Sequence, residues 1–94
     1  MDEQMNEEEK NETIGILEKE TKKWLARLES ETKDGIKARN DSEKVRNSIA
    51  NIEAYIEDSK HFMDQEDLVR AFEAIVYAWG IYETLLRLEL LKKG

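Results

Sequence analysis

His61 is the only histidine of the 94-residue chain, and two carboxylates precede it at helical spacing. Glu57 and Asp58 lie four and three residues before it. A carboxylate three residues before a histidine is the pattern of di-iron helical bundles, in which two such motifs converge with further glutamates. This chain has one copy, and helical spacing puts His61 opposite the apolar stripe of its segment. The sequence therefore predicts a solvent-facing histidine and no metal site.

Glu83 is the other acidic residue whose position suggests chemistry. It falls at the margin of an apolar helical face, beside Trp79 and Arg87. A carboxylate at such a margin can act as a general base, and the structural alternative is an ion pair with Arg87 four residues later. No second acid, histidine or nucleophile is spaced to converge with Glu83, and the chain has no cysteine. We therefore predict no catalytic residue, no cofactor and no enzymatic activity.

The composition restricts both the fold and the partners. With no proline and four glycines, the chain favours a few long helices over a barrel or sandwich. Its net charge of -7 disfavours nucleic-acid binding, which requires a basic surface. The most apolar segment, from Leu68 to Leu91, contains five charged residues and so predicts no membrane span. The N-terminus is acidic and lacks the apolar stretch of a signal peptide, and the absence of cysteine favours the cytoplasm.

Three apolar periodicities predict helices at residues 12–33, 41–63 and 66–92. Their similar lengths and short connections predict an all-α protein, an antiparallel up-down-up three-helix bundle. The third helix is the most apolar, so we expect the other two to pack against it. The residues predicted to be most buried are Leu25, Leu28, Ile49, Ile52, Ile56, Phe72, Ile75, Trp79 and Tyr82.

Residues 1–11 hold five acids and are interpreted as a disordered or frayed tail, so that residues 12–94 form a single domain. Asn11 is suited to cap the first helix, and Asp34-Gly35 is suited to end it. Asn40 with Glu43 three residues later resembles a capping box for the second helix.

A row of apolar residues on the third helix is the most informative surface feature. Ala74, Tyr77, Ile81 and Leu88 fall on or beside its polar side at spacings of three, four and seven. Exposed apolar rows mark contact sites, so we predict a non-enzymatic interaction module that contacts a protein partner or a second copy of itself. The alternative is a small-molecule-binding or enzyme-accessory domain, with a pocket between helices 2 and 3 lined by Tyr55, Trp79, Tyr82 and Glu83.

The segment AYIEDSKHFMDQEDLVRAFEAIVYAWGIYETLLRLELL carries a more specific pattern. A helix with a tyrosine, an Asp and a Lys is followed by an acidic turn, a run of the form AF-A-I-YA-G, an acid and an RL-L ending. The matching residues are Tyr55, Asp58, Lys60, Phe62, Asp67, Ala71, Phe72, Ala74, Ile75, Tyr77, Ala78, Gly80, Glu83, Arg87 and Leu88. This pattern resembles the archaeal helical family catalogued as domain of unknown function 357.

The resemblance covers most of residues 12–91, because ETKKWLARLES also resembles the first helix of that family. The sequence departs from the pattern at Gln65-Glu66, where glycine is common, and at Glu83, where aspartate is common. The resemblance implies a three-helix bundle of archaeal, intracellular origin without an established activity.

Overall fold

The computed structural model of the protein describes residues 7–92, which form three α-helices and no β-strand. Helix α1 spans Glu7–Thr32, α2 spans Glu43–Asp64 and α3 spans Leu68–Arg87. The predicted all-α class with three helices is therefore confirmed. Both other helices pack on α3, as expected from its apolar sequence, whereas α1 and α2 make few contacts with each other.

Helix α1 begins five residues before the predicted start. Residues 7–11, which the sequence assigned to a tail, are helical, so Asn11 lies inside the helix and is not its N-cap. Three consecutive glutamates at Glu7, Glu8 and Glu9 stabilise this first turn, because negative charge interacts favourably with a helix N-terminus. Residues 1–6 of the predicted tail lie outside the described residues. At the other end, Gly35 has φ +88 and closes the helix as predicted.

The predicted capping box at Asn40 does not form. Helix α2 is capped instead by Ser42, whose hydroxyl oxygen accepts a hydrogen bond of 3.4 Å from the Val45 amide. Serine at this position satisfies an amide that the first helical turn leaves without a partner. A short turn then leads into α3, whose N-cap Asp67 accepts from the Arg70 amide at 3.3 Å. Glu66 in this turn has φ 60, the left-handed conformation in which glycine is intrinsically favoured.

Helix α3 ends at Arg87 and not near residue 92 as predicted. The Leu90 amide donates to the Leu85 carbonyl at 2.9 Å, and Glu89 has φ 56, so the chain reverses in a left-handed cap. The last residues then run beside the α1–α2 connection, where the Lys92 amide donates to the Lys37 carbonyl at 2.8 Å. This reversal buries Leu91, which supplies the physical reason for the early helix end.

The core lies where α1 and α2 cover α3. Five of the nine residues predicted to be most buried are in fact buried, namely Leu28, Ile49, Ile52, Ile56 and Ile75. The other four, Leu25, Phe72, Trp79 and Tyr82, are half-buried. Three of these carry large rings, which reach from the packed interface to the surface.

The hairpin of α2 and α3 is joined by a buried polar contact near its turn. The Ser59 hydroxyl donates to the Ala71 carbonyl at 2.8 Å, and Ser59 is completely buried. Further along, the Tyr55 and Tyr77 rings lie 5.5 Å apart. These contacts advance in opposite directions along the two helices, as in a helical hairpin.

Helix α1 is held to α3 by an aromatic contact between Trp24 and Trp79. The Trp79 indole nitrogen donates to the Trp24 carbonyl at 2.9 Å, and the two rings meet edge to face at 5.7 Å.

Lys60 of α2 forms an ion pair with Glu29 of α1 at 2.5 Å. The hydrogen bond to Glu29 raises the pKa of Lys60 above its ordinary value, with smaller contributions from Glu29 and Glu57 charge. Residues 7–16, by contrast, are exposed on every side.

Candidate functional site

The predicted apolar row on the third helix is only partly exposed. Tyr77 is 56% exposed and Leu88 is 62% exposed, as a contact residue would be. Ile81 is half-buried, and Ala74 is 5% exposed and belongs to the core. The prediction that Ala74 is exposed is therefore wrong. Its side chain lies about 100° around the helix from Glu73, towards α2, and α2 covers a wider arc of α3 than the sequence pattern indicated.

The exposed apolar surface is centred elsewhere on α3, along a line that includes two valines. Val69 is 60% exposed and Val76 is 47% exposed. They are seven residues apart, or about two helical turns, and so lie on the same side of the helix. We define the outer face of α3 as the exposed residues Val69, Glu73, Val76, Tyr77, Gly80, Thr84 and Arg87 with the C-cap residue Leu88.

Gly80 forms a notch at the centre of the outer face. A Cβ atom built on it would meet no heavy atom within 4 Å, and its backbone is helical. The glycine is therefore not required by packing inside the chain or by backbone conformation. Its absent side chain lets another surface approach the α3 backbone closely at this point.

Two shallow grooves flank the line of Val76 and Gly80, and both residues line each groove. The groove on the α1 side measures about 350 Å³ and is also lined by Trp24, Phe72, Trp79 and Glu83. The groove on the α2 side measures about 610 Å³ and is also lined by Ser48, Tyr77, Ile81, Thr84 and Leu85. Most of these side chains are apolar, so the outer face is a ridge between two apolar depressions.

Besides the exposed Glu83 in the α1-side groove, the outer face carries one exposed charge of each sign, placed symmetrically about Gly80. Glu73 is seven residues before it and Arg87 is seven residues after it. Neither side chain forms an ion pair within residues 7–92, and Arg87 does not form the predicted pair with Glu83. The nearby Arg70, in contrast, is paired with Asp67 at 3.6 Å. Glu73 and Arg87 are thus available to charges from outside the chain.

The alternative pocket predicted between helices 2 and 3 does not form as one site. Tyr55 packs on Tyr77 at the edge between α2 and α3, whereas Trp79 contacts Trp24 of α1 and Tyr82, with ring centroids 5.7 and 6.0 Å away. Glu83 is exposed and lines the α1-side groove together with Trp79. The prediction was wrong in its geometry, because Tyr55 and Trp79 point to opposite flanks of α3.

Tyr82, another residue of the predicted pocket, lies at the end of the bundle. Burial raises the pKa of Tyr82 above its ordinary value, and the negative charge of Glu31 raises it further. Its side chain lines a cavity of about 300 Å³ at the end of the bundle, with Gly35 and Leu91 among the neighbours. Tyr82 therefore belongs to the contact between α3 and the C-terminal part of α1.

The histidine and the acids next to it occupy an exposed part of α2. His61 is exposed, as predicted, and its ring lies 5.9 Å from that of Phe62. In the part of the chain that the structure describes, no three His, Cys, Asp or Glu side chains come together as metal ligands would. Nor does any helix between residues 7 and 92 combine the length and hydropathy needed to cross a membrane.

Comparison with known proteins relates this chain to one protein family. The family described as protein of unknown function (DUF357) matches residues 18–91, which is most of the sequence. The chain belongs to this family. It is also similar to the crystal structure of a DUF357 protein from Archaeoglobus fulgidus, with 39% sequence identity and a TM-score of 0.73. That similarity covers 87% of this chain and 99% of the other. No curated protein matches the sequence.

DUF357 membership confirms the family indicated by the residues around Tyr77 and Gly80, and the solved relative agrees with the three-helix fold. Val69 and Val76 are surface residues of this DUF357 chain that the predicted apolar row does not include. The available signal was their spacing from Glu73, Gly80 and Arg87, which places both valines within the polar arc of α3. An apolar residue inside a polar arc is the pattern of an exposed apolar surface.

Proposed function

We propose that this protein is a non-enzymatic interaction module that binds another protein surface through the outer face of α3. The observation that carries the proposal is the exposure of Val69, Val76 and Tyr77 on the outer face of a helix whose opposite side already forms the core. A helix that is apolar on more than one side is covered on more than one side when its partner is present. Contiguous apolar surface of this kind marks interaction sites.

The energetic reason for a partner lies in the area that this face leaves in water. Covering a large aliphatic side chain contributes about 1.5–3 kcal/mol when it passes from fully exposed to fully buried. Val76 is 47% exposed and Leu88 is 62% exposed, so each retains about half of that contribution for a partner to realise. The charges of Glu73 and Arg87 supply a polar rim of both signs, which fixes orientation at protein interfaces.

The distribution of reactive side chains also favours binding over catalysis. His61 is on an exposed part of α2, Glu83 is on the α1 flank of α3, and Tyr82 packs at the end of the bundle. Catalysis by acid and base requires such groups within hydrogen-bond reach of one substrate. We place the module in the cytoplasm, because a small domain without cysteine is suited to a reducing compartment.

Site-specific photocrosslinking tests this function. A benzophenone amino acid at Val76 should form covalent adducts with protein in living cells of the source organism, because Val76 lies on the contact ridge. The matched control places the same residue at Asn51, an exposed position of α2. Strong labelling from position 76 and weak labelling from position 51 supports the proposal, whereas equal labelling from both positions contradicts it.

A second candidate is small-molecule binding in the α1-side groove. Two residues of the predicted pocket, Trp79 and Glu83, line this groove together with Trp24. Its volume of about 350 Å³ is at the lower end for ligand pockets, about 300–1,000 Å³. An aromatic amine bound there should quench the fluorescence of both tryptophans, and Glu83→Gln should weaken the effect. Unchanged fluorescence at saturating probe excludes this candidate.

A further inference from the structure

The arrangement of charge about Gly80 identifies the partner of the outer face. We propose that a second copy of this chain docks there, with the two α3 helices antiparallel and a two-fold axis passing beside Gly80. This inference rests on the function proposed above and names the partner of the same surface. It follows from four observations on α3.

The first observation is the symmetric placement of the two free charges. Glu73 precedes Gly80 by seven residues and Arg87 follows it by seven. At about 1.5 Å per residue, each charge lies about 10 Å from the glycine along the helix. An antiparallel copy centred on Gly80 therefore puts Glu73 of one chain opposite Arg87 of the other. The two-fold axis repeats the pair, so Glu73 and Arg87 of each chain both gain a partner.

The second observation is that the same two charges disfavour a parallel arrangement of the two α3 helices. A two-fold axis along the helix would place Glu73 beside the Glu73 of the partner and Arg87 beside its Arg87. Like charges in contact disfavour such pairing. The two charges thus select one of the two symmetric ways in which the face can meet its own copy.

The third observation is the shape of the surface at the proposed axis. The absent side chain of Gly80 leaves open space where the two helices would cross, and nothing within the chain fills it. Small residues at a crossing point let two helix backbones approach closely. The grooves on either side, about 350 and 610 Å³, can receive the partner's ridge residues such as Val76 and Tyr77. Ridges of one helix packing into grooves of another is the general mode of helix association.

The fourth observation is the size of the face. Helix α3 has 20 residues and is about 30 Å long. With the flanking grooves, a strip about 20 Å wide can be covered, on the order of 600 Å² per chain. This area is near the lower limit for a specific interface. We therefore expect a weak dimer that forms at micromolar concentrations and exchanges readily.

Charge exchange at the two positions provides the test. Sedimentation equilibrium is measured up to high-micromolar concentration for the wild type, Glu73→Arg, Arg87→Glu and the double variant Glu73→Arg/Arg87→Glu. Each single variant should weaken the dimer by about tenfold or more, because it converts two symmetry-related attractions into repulsions. The double variant restores both attractions with exchanged signs, so it should associate like the wild type. An equimolar mixture of the two single variants should form a heterodimer.

Glu53→Arg is the matched control. It makes the same change of net charge as Glu73→Arg but at an exposed position of α2, and it should leave the dimer unchanged. Circular dichroism of each variant verifies that the helices remain folded. Restored association in the double variant cannot arise from unfolding, so the test does not depend on the single variants alone.

Three results would overturn the inference. A wild type that stays monomeric at every concentration eliminates the dimer, and the function proposed above then survives only if Val76 still crosslinks to a different protein. A dimer that none of the α3 variants alters uses another surface. A dimer that the single variants weaken but the double variant does not restore is not paired Glu73 to Arg87 in the antiparallel sense.

Discussion

Replacing Trp79 by Phe removes the hydrogen bond that holds α1 to α3 while keeping an aromatic ring in the contact. The Trp79 indole nitrogen donates to the Trp24 carbonyl at 2.9 Å, and the two residues are 55 positions apart in the chain. Since α1 makes few contacts with α2, its attachment depends on α3. The substitution therefore tests how the first helix is fixed in the bundle.

The magnitude can be worked from the contact. A hydrogen bond of this kind contributes about 1 kcal/mol net, and the edge-to-face pair at 5.7 Å contributes about 0.5–1.5 kcal/mol beyond its buried area. The Trp24 carbonyl keeps its bond within the helix, so the change leaves no acceptor without a partner. Because Phe retains part of the ring contact, we expect Trp79→Phe to lower the free energy of unfolding by about 1–2.5 kcal/mol.

Urea unfolding followed by far-ultraviolet circular dichroism measures this change, and Trp24→Phe is its control. The acceptor is the backbone of Trp24, so that substitution changes the ring contact but retains the hydrogen bond. We expect it to cost about 1 kcal/mol less than Trp79→Phe. The double variant completes a cycle whose coupling energy reports the interaction between the two rings.

A Trp79→Phe variant as stable as Trp24→Phe, within about 0.5 kcal/mol, would refute the reasoning. It would mean that the indole N–H contributes no net stability. Hydrogen exchange gives a second readout, because amides of α1 near Trp24 should lose protection before those of α2 if α1 detaches first.

Three further predictions follow from burial, backbone and charge. Ile75→Ala should lower the free energy of unfolding by about 2–5 kcal/mol because Ile75 is completely buried, whereas Val76→Ala at the adjacent exposed position should change it by under about 1 kcal/mol. Urea titration of both variants measures these changes and so checks which side of α3 faces the core. At a concentration low enough to keep the chain monomeric, Gly80→Ala should raise the melting temperature, since the new methyl group meets no atom of its own chain and alanine is favoured in a helix by about 1 kcal/mol. Gly15→Ala in the exposed first part of α1 should raise it less, and a lowered value for Gly80→Ala would contradict this. The folded chain holds the phenolic proton of Tyr82 more tightly than the unfolded chain because the pKa of Tyr82 is raised, so this contribution to stability is complete below about pH 10 and is lost as the pH rises further. Tyr82→Phe should therefore flatten the fall of the melting temperature above that pH. An unchanged slope would show that Tyr82 is not responsible for the fall.

Helix positions and much of the core followed from the sequence because they depend on local periodicity. The spacing of Ile49, Ile52 and Ile56 places them on one side of a helix wherever that helix packs, and all three are buried. Gly35 ended α1 for a similarly local reason, since its left-handed backbone requires no distant contact. The same periodicity predicted the apolar character of α3, and with it a helix that both neighbours contact.

The ends of α2 and α3 depended on contacts that the local pattern does not contain. Asn40 and Ser42 are both residue types that cap helices. The α1–α2 connection is hydrogen-bonded to residues 90–92, and this pairing places Ser42 at the cap of α2. Leu91 continues the apolar periodicity of α3, but it is buried only because the chain reverses after Arg87. In both places tertiary packing chose between local alternatives of similar propensity.

By itself, the sequence determined that this protein is all-α, that it has three helices, and that α3 carries apolar residues on more than one side. Only the tertiary structure decided how far α2 reaches around α3, and therefore which of the residues at the margin of its polar arc face water. The arc of α3 that α2 covers includes Ala74 and half of Ile81, and it leaves Val69 and Val76 outside. Helical periodicity fixes the angles between side chains on one helix, but the rotation of that helix against its neighbours comes from the packing of all three.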